Sequence, residues 1–224
     1  MAAITLHVAT SPGDRLAALA NEWAVTLDST AETTSSLIGF GRRASEHVVL
    51  KIVKREGDEW RSGEVLEAFA ARGVVRVLEN TGGAVLMERA SPGNSLVEVV
   101  RQGRDEEATA LLANLIGTMS PDAPPAGCTT IEEWGRGFDW YRESGHRHIP
   151  TAVVDTADAT YAELCRTQRN PRLLHGDLQH SNVLLDHRRG WVAIDPKGVV
   201  GGLHWPSRLR FGVYFIEVSR GEGR

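Results

Sequence analysis

Cysteine is nearly absent. Cys128 and Cys165 are the only two in 224 residues, and they lie far apart. Such usage excludes a disulfide framework and a cysteine-based zinc site, and it makes a reducing cytoplasm the simplest compartment. No apolar run reaches the length of a membrane-crossing helix. The N-terminus lacks the basic, apolar, small-residue order of a secretory signal. No dense Lys/Arg block stands out and the net charge is −4, so no nucleic-acid footprint is expected. Internal repeats and low-complexity segments are also missing. What remains is a chain long enough to bury a real core, as one domain or as two small lobes.

Against that plain background one segment carries chemistry. The run His175-Gly176-Asp177-Leu178-Gln179-His180-Ser181-Asn182-Val183-Leu184-Leu185 is followed by Val192-Ala193-Ile194-Asp195-Pro196. An Asp and an Asn five residues apart fit a phosphoryl-transfer loop, with Asp177 receiving a hydroxyl proton and Asn182 ligating Mg2+. Asp195, at the end of an apolar run, fits the second ligand. Magnesium takes hard oxygen donors, commonly one or two carboxylates completed by phosphate oxygens. Val183–Leu185, the turn at 186–190 and Trp191–Ile194 predict a hairpin that brings Asn182 and Asp195 to the same end. The plain alternative is a polar turn in which Asp177 and Asn182 act as caps.

Upstream, Lys51 interrupts the apolar run Val48-Val49-Leu50-Lys51-Ile52-Val53. A buried ammonium is costly without a partner. A kinase-type site supplies one from nucleotide phosphate and a helix glutamate. Residues 56–72 read as that helix, with Glu64 the first choice of partner and Glu67 the second. The alternative is an edge-strand lysine that snorkels to solvent. Lys54, three residues on, faces the other side of the strand. Gly39 and Gly41 offer either a hairpin backbone that approaches phosphates or an ordinary turn. Residues 14–28 predict an N-terminal helix, 74–78 and 84–87 two strands, and 105–119, 130–148 and 155–169 further helices. Ser95 and Glu98 suggest a cap on a helix from Leu96. Trp134, Phe138 and Tyr141 read as core, and His146 and His148 as surface.

Order and spacing together resemble the aminoglycoside phosphotransferase family. The likeness is greatest to its streptomycin 6-phosphotransferase and hydroxyurea-resistance kinase group. The residues behind this are SSLIGFGRR (35–43), VVLKI (48–52), GVVRVLE (73–79), AVLMERASPGNSL (84–96), LLHGDLQHSNVLL (173–185) and WVAIDPKGVVGG (191–202). The resemblance implies an α+β, protein-kinase-like two-lobe fold, with an antiparallel-sheet N-lobe over 1–90 and a mainly helical C-lobe over 91–202. It implies Lys51 on the ATP phosphates paired with Glu64, and Asp177 as catalytic base. Asn182 and Asp195 become magnesium ligands, and Met87, Glu88 and Ala90 fall in the adenine hinge. The implied reaction moves the γ-phosphate of ATP to a hydroxyl of a small-molecule antibiotic, with streptomycin first. Another small-molecule kinase and an inactive nucleotide-binding remnant are the alternatives. No membrane partner is implied.

The likeness runs from about residue 20 to 202. The atypical tail over 203–224 leaves the family pattern, and the expectation is a truncated or frame-shifted chain with an incomplete C-lobe.

Overall fold

The computed structural model describes residues 11–119, 121, 123–145 and 148–202. The tail discussed above and His146 lie outside them.

Helix α1 (Pro12–Glu22) opens on a capping box. Ser11 accepts from the Asp14 backbone while the Asp14 carboxylate accepts from Ser11, and Pro12 occupies the first turn. The helix stops at Trp23, and Ala24 turns left-handed at φ 55°. Val25 and Leu27, expected on the helix, therefore belong to the chain entering β1 (Thr26–Glu32). Strands β2 (Ser36–Arg43) and β3 (Glu46–Val53) follow, then helix α2 (Ser62–Ala68), β4 (Val77–Thr81) and β5 (Ala84–Glu88). The five strands form one antiparallel sheet in the order β1-β2-β3-β5-β4. Helix α2 is a short piece of the helix expected over 56–72.

Alternation in β3 decides what the sheet presents on each side. Val48, Leu50 and Ile52 are fully buried beneath α1, beside Leu16 and Ala20. Val49 and Lys51 point the other way, toward the rest of the molecule.

The chain then forms β6 (Pro92–Ser95), α3 (Val97–Arg101), α4 (Asp105–Thr118), β7 (Thr129–Thr130), α5 (Ile131–Trp134), α6 (Arg136–Glu143) and α7 (Thr151–Thr167). It closes with β8 (Arg172–Leu174), β9 (Val183–Asp186), β10 (Gly190–Ala193) and β11 (Val199–Gly201). The β9–β10 hairpin falls where the sequence predicts it and pairs with β6. Strand β11 lies between β7 and β8. Ser95 does not cap α3, because it is spent in the β6–β9 pairing opposite Leu184. The helix expected over 130–148 is broken at Gly135 into α5 and α6, and α7 begins earlier than expected, after Pro150. Tyr141 is buried as core, while Trp134 and Phe138 are half-buried.

One apolar core joins both parts. Val65 and Leu66 from α2 and its C-cap Phe69 meet Leu115 from α4 and its C-cap Met119, Leu173 from β8 and Val183 and Val192 from the hairpin. Val74 bridges to Ala193 in parallel fashion, and the Val75 amide donates to the Ala193 carbonyl at 3.0 Å.

Candidate active site

The site is assembled by β3, the bend ahead of α2, the turn between β8 and β9, and the segment after β10. Together they frame a cleft of about 190 Å³ that Lys51, Asp177, Asn182 and Asp195 all line.

Lys51 is 2% exposed. Its Nζ lies 2.8 Å from Glu59 Oε2 and 3.0 Å from Asp195 Oδ1. Burial alone pulls its pKa down, but the charge of Asp195 and the contact with Glu59 outweigh that and leave it above the ordinary lysine value. Lys51 is thus a firmly charged ammonium. Glu59 carries the matching change: burial pushes its carboxyl up, while Lys51, the Ser35 hydroxyl and the charge of Lys197 bring it below the ordinary glutamate value.

The expected partner was a different glutamate. Glu64 does not reach Lys51, since its carboxylate accepts from Arg61 Nε at 2.9 Å and from Nη2 of the same side chain. Glu67 accepts from Asn80 instead. The physical reason is the late start of α2, which leaves 54–61 as a bend that swings Glu59 under the sheet. Lys54 turns away as expected and pairs with Glu32 at 2.7 Å.

The two glycines proposed to approach phosphates do something else. Both sit within β2, where a Cβ on Gly41 would come 2.2 Å from the Thr26 carbonyl oxygen and one on Gly39 2.7 Å from Leu27. They are small so that β1 and α1 can close on the sheet. The chain that does face the cleft is the β1–β2 turn, through Thr33, Ser35 and Ser36. Ser35 and Ser36 donate to Glu59 at 3.3 and 3.4 Å.

On the opposite wall the Asn182 amide nitrogen donates to the Asp177 carbonyl at 2.9 Å and to its Oδ2 at 3.3 Å. The Ile194 amide donates to the Asn182 carbonyl at 2.9 Å, which locks the hairpin end beside the loop. His175 is buried behind them. Its Nδ1 accepts from the Asp177 amide at 3.3 Å, so Nε2 is the protonated nitrogen and donates to the Ile194 carbonyl at 2.9 Å. Burial drives its pKa down to about 4, against the pull of the Ile194 carbonyl. It is a neutral structural tie. Asp195 holds a left-handed φ of 58°, uncommon for a residue with a side chain. Gly198, at φ 76°, has no room for a Cβ, which would fall 2.4 Å from Val65.

The Asn182 amide oxygen and the Asp195 carboxylate are hard donors facing one cleft, and they fit magnesium. Asn182 commits its nitrogen to Asp177, which leaves the oxygen as its donor. Among the described residues no group of three or more His, Cys, Asp or Glu gathers into a metal cage. That suits an ion completed by phosphate oxygens.

Met87, Glu88 and Ala90 lie apart from this cleft. Met87 is buried in the shared core and Ala90 is buried nearby. The Glu88 carboxylate is held by Arg76 and Arg189.

The model of the aminoglycoside/hydroxyurea antibiotic resistance kinase family matches residues 22–206. The chain belongs to this family. Within reach of it, streptomycin 3''-kinase from Klebsiella pneumoniae is 31% identical over 181 residues, covering 80% of this chain and 66% of that protein. Hydroxyurea phosphotransferase from Kitasatospora aureofaciens is 31% identical over 178 residues, 69% of this chain and 50% of that protein. The family member described here therefore spans between one half and two thirds of these curated relatives. Among solved structures, a thermostable mutant of aminoglycoside phosphotransferase APH(4)-Ia in complex with ADP and hygromycin B aligns with a TM-score of 0.60 at 16% identity, covering 84% of this chain and 72% of that one. That likeness shows the fold: α+β and protein-kinase-like. No helix among the described residues is long and apolar enough to cross a membrane.

Sequence reasoning missed Glu59 and the Ser35–Ser36 turn. A serine pair between two strands was a usable signal for the turn. Glu59 had none, because Glu56 and Asp58 stand beside it and only the tertiary bend selects among them.

Proposed function

We propose that this chain is an ATP-dependent phosphotransferase of the cytoplasm that phosphorylates a hydroxyl of an aminoglycoside, with streptomycin as its substrate. The observation that supports it most is the convergence of Lys51, Asp177, Asn182 and Asp195 on one cleft.

Lys51, buried and held by Glu59, binds the nucleotide phosphates from the sheet side. Asn182 and Asp195 hold magnesium, which when bound neutralises charge on the phosphate oxygens. Asp177 accepts a hydrogen bond from the acceptor hydroxyl and takes its proton as transfer proceeds. The acceptor oxygen forms a bond to the γ-phosphorus, the bond from that phosphorus to the β-bridging oxygen breaks, and ADP leaves with the electron pair. The hinge over Met87 to Ala90 receives adenine. Residues 1–90 serve the nucleotide, and 91–202 carry the base and the metal ligands.

A second reading has its own support. The hydroxyurea phosphotransferase relative matches at the same identity as the streptomycin kinase, so hydroxyurea is the rival acceptor. Both are tested in one assay: mass spectrometry of streptomycin and of hydroxyurea after incubation with the purified chain and Mg-ATP. A gain of one phosphate on streptomycin alone is the expected result. Replacing the base, Asp177→Ala, should cut transfer about a hundredfold or more while ATP still binds. Phosphate appearing only on hydroxyurea overturns the streptomycin reading. Modification of neither by a folded chain that binds ATP overturns both.

A further inference from the structure

The cleft wall has an imbalance of charge. Among the described residues that line it, Glu59, Asp177 and Asp195 are carboxylates and Lys51 is the one ammonium. Lys51 is committed to the first and the last. Leu178 and Gln179, the two residues that follow Asp177, bring no cation. A terminal phosphate must nevertheless come beside Asp177, because in-line transfer puts phosphorus about 3–3.5 Å from the acceptor oxygen that Asp177 contacts. Two like charges that close repel strongly in a partly desolvated cleft.

Lys197 is the cation at that point. Its Nζ lies 3.9 Å from Asp177 Oδ2, beyond hydrogen-bond length and within ion-pair reach. Its backbone is fixed: the Lys197 and Gly198 amides both donate to the His175 carbonyl at 3.0 Å. Its stem runs beside the base loop, since a Cβ built on Gly176 would fall 3.4 Å from Lys197 Cβ. The side chain is only 21% exposed, restricted for a lysine. Its charge is also felt at Glu59, across the cleft.

We propose that the Lys197 ammonium binds the terminal phosphate oxygens of ATP and stays on them during transfer, a second catalytic cation distinct from Lys51. This rests on the kinase reading above. When nucleotide is absent Lys197 leans on Asp177. When the γ-phosphate arrives, the ammonium spans phosphate and base, screens their repulsion and aligns the phosphorus with the acceptor. An ammonium with three donors on a flexible stem suits that motion.

Calorimetry on the whole chain tests it without relying on turnover. ADP and the non-hydrolysable analogue AMP-PNP are titrated with Mg2+ into wild type, Lys197→Met and Lys197→Arg. A charge-assisted contact made only to the γ-phosphate predicts a loss of about tenfold in AMP-PNP affinity for Lys197→Met, with ADP affinity within about twofold of wild type. Lys197→Arg should recover most of the loss. Retained ADP binding also reports that the variants are folded. Equal losses for both nucleotides, or no loss for either, overturn the proposal and leave the kinase reading standing. A wild-type chain that binds neither nucleotide overturns both.

Discussion

Strand β3 and helix α7 sit on two sides of the same fold and are held in different ways. Five of the eight β3 side chains are buried, whereas α7 buries Val154 alone across seventeen residues. The strand is covered from both directions, by α1 on one face and by the shared core on the other. Helix α7 leaves Val153 and Leu164 about half exposed. It is tied by polar contacts instead: Arg142 of α6 reaches Asp155 and Asp158, and the Tyr161 hydroxyl donates to the Ile131 carbonyl. Exposed ion pairs of this sort contribute little each. The lesson concerns precision. Lys51 is aimed by packing that no single contact controls, while the helices beyond the cleft are located by a few replaceable bonds.

Substitutions can break that contrast. Phe69→Ala, in the fully buried centre of the shared core, should cost about 3–5 kcal/mol in urea unfolding. A loss near zero would mean the core is not continuous. Acid should come next. The unfolded chain binds a proton on His175 with the ordinary value of 6.5, and the folded chain only near 4. Protons therefore favour unfolding: the contribution is complete above pH 6.5 and is lost as the pH falls toward 4. The change from about pH 7.5 to about pH 5 is worth about 2 kcal/mol. His175→Gln should flatten the stability curve across that window, and an unchanged slope would assign it elsewhere.

Smaller effects sharpen the picture. Glu59→Gln leaves the buried Lys51 with Asp195 alone and should cost about 2 kcal/mol. Glu64→Gln should cost under about 1 kcal/mol, since its pair with Arg61 is only half-buried and stays in reach of solvent. The reverse order, read from paired melts, would restore Glu64 as the lysine's partner. Least of all, Leu164→Ala on α7 should stay within about 0.5 kcal/mol of wild type.

The contrast also explains what could be read from the chain. The β9–β10 hairpin and the residues at its ends were legible because alternation, turn and motif all lie within twenty residues. Lys51 was legible from its apolar neighbours. Its partner was not, because the choice between Glu59 and Glu64 depends on where α2 begins, and no cap marks that start. Gly39 and Gly41 misled for another reason. Their smallness answers to Thr26 and Leu27 on a neighbouring strand, a packing demand that looks the same in sequence as a phosphate loop.

The Val74–Ala193 bridge and the apolar cluster around it give the molecule a mechanical property. The sheet cannot be lifted off its foundation: a fragment ending at the hinge would strip from Val65, Leu66, Phe69 and Val75 the cover they take from Leu115, Leu173, Val183 and Val192. The two halves should therefore melt in one transition. Any motion that opens the cleft must be a flexing of this shared keel rather than a swing of one half about a loose joint.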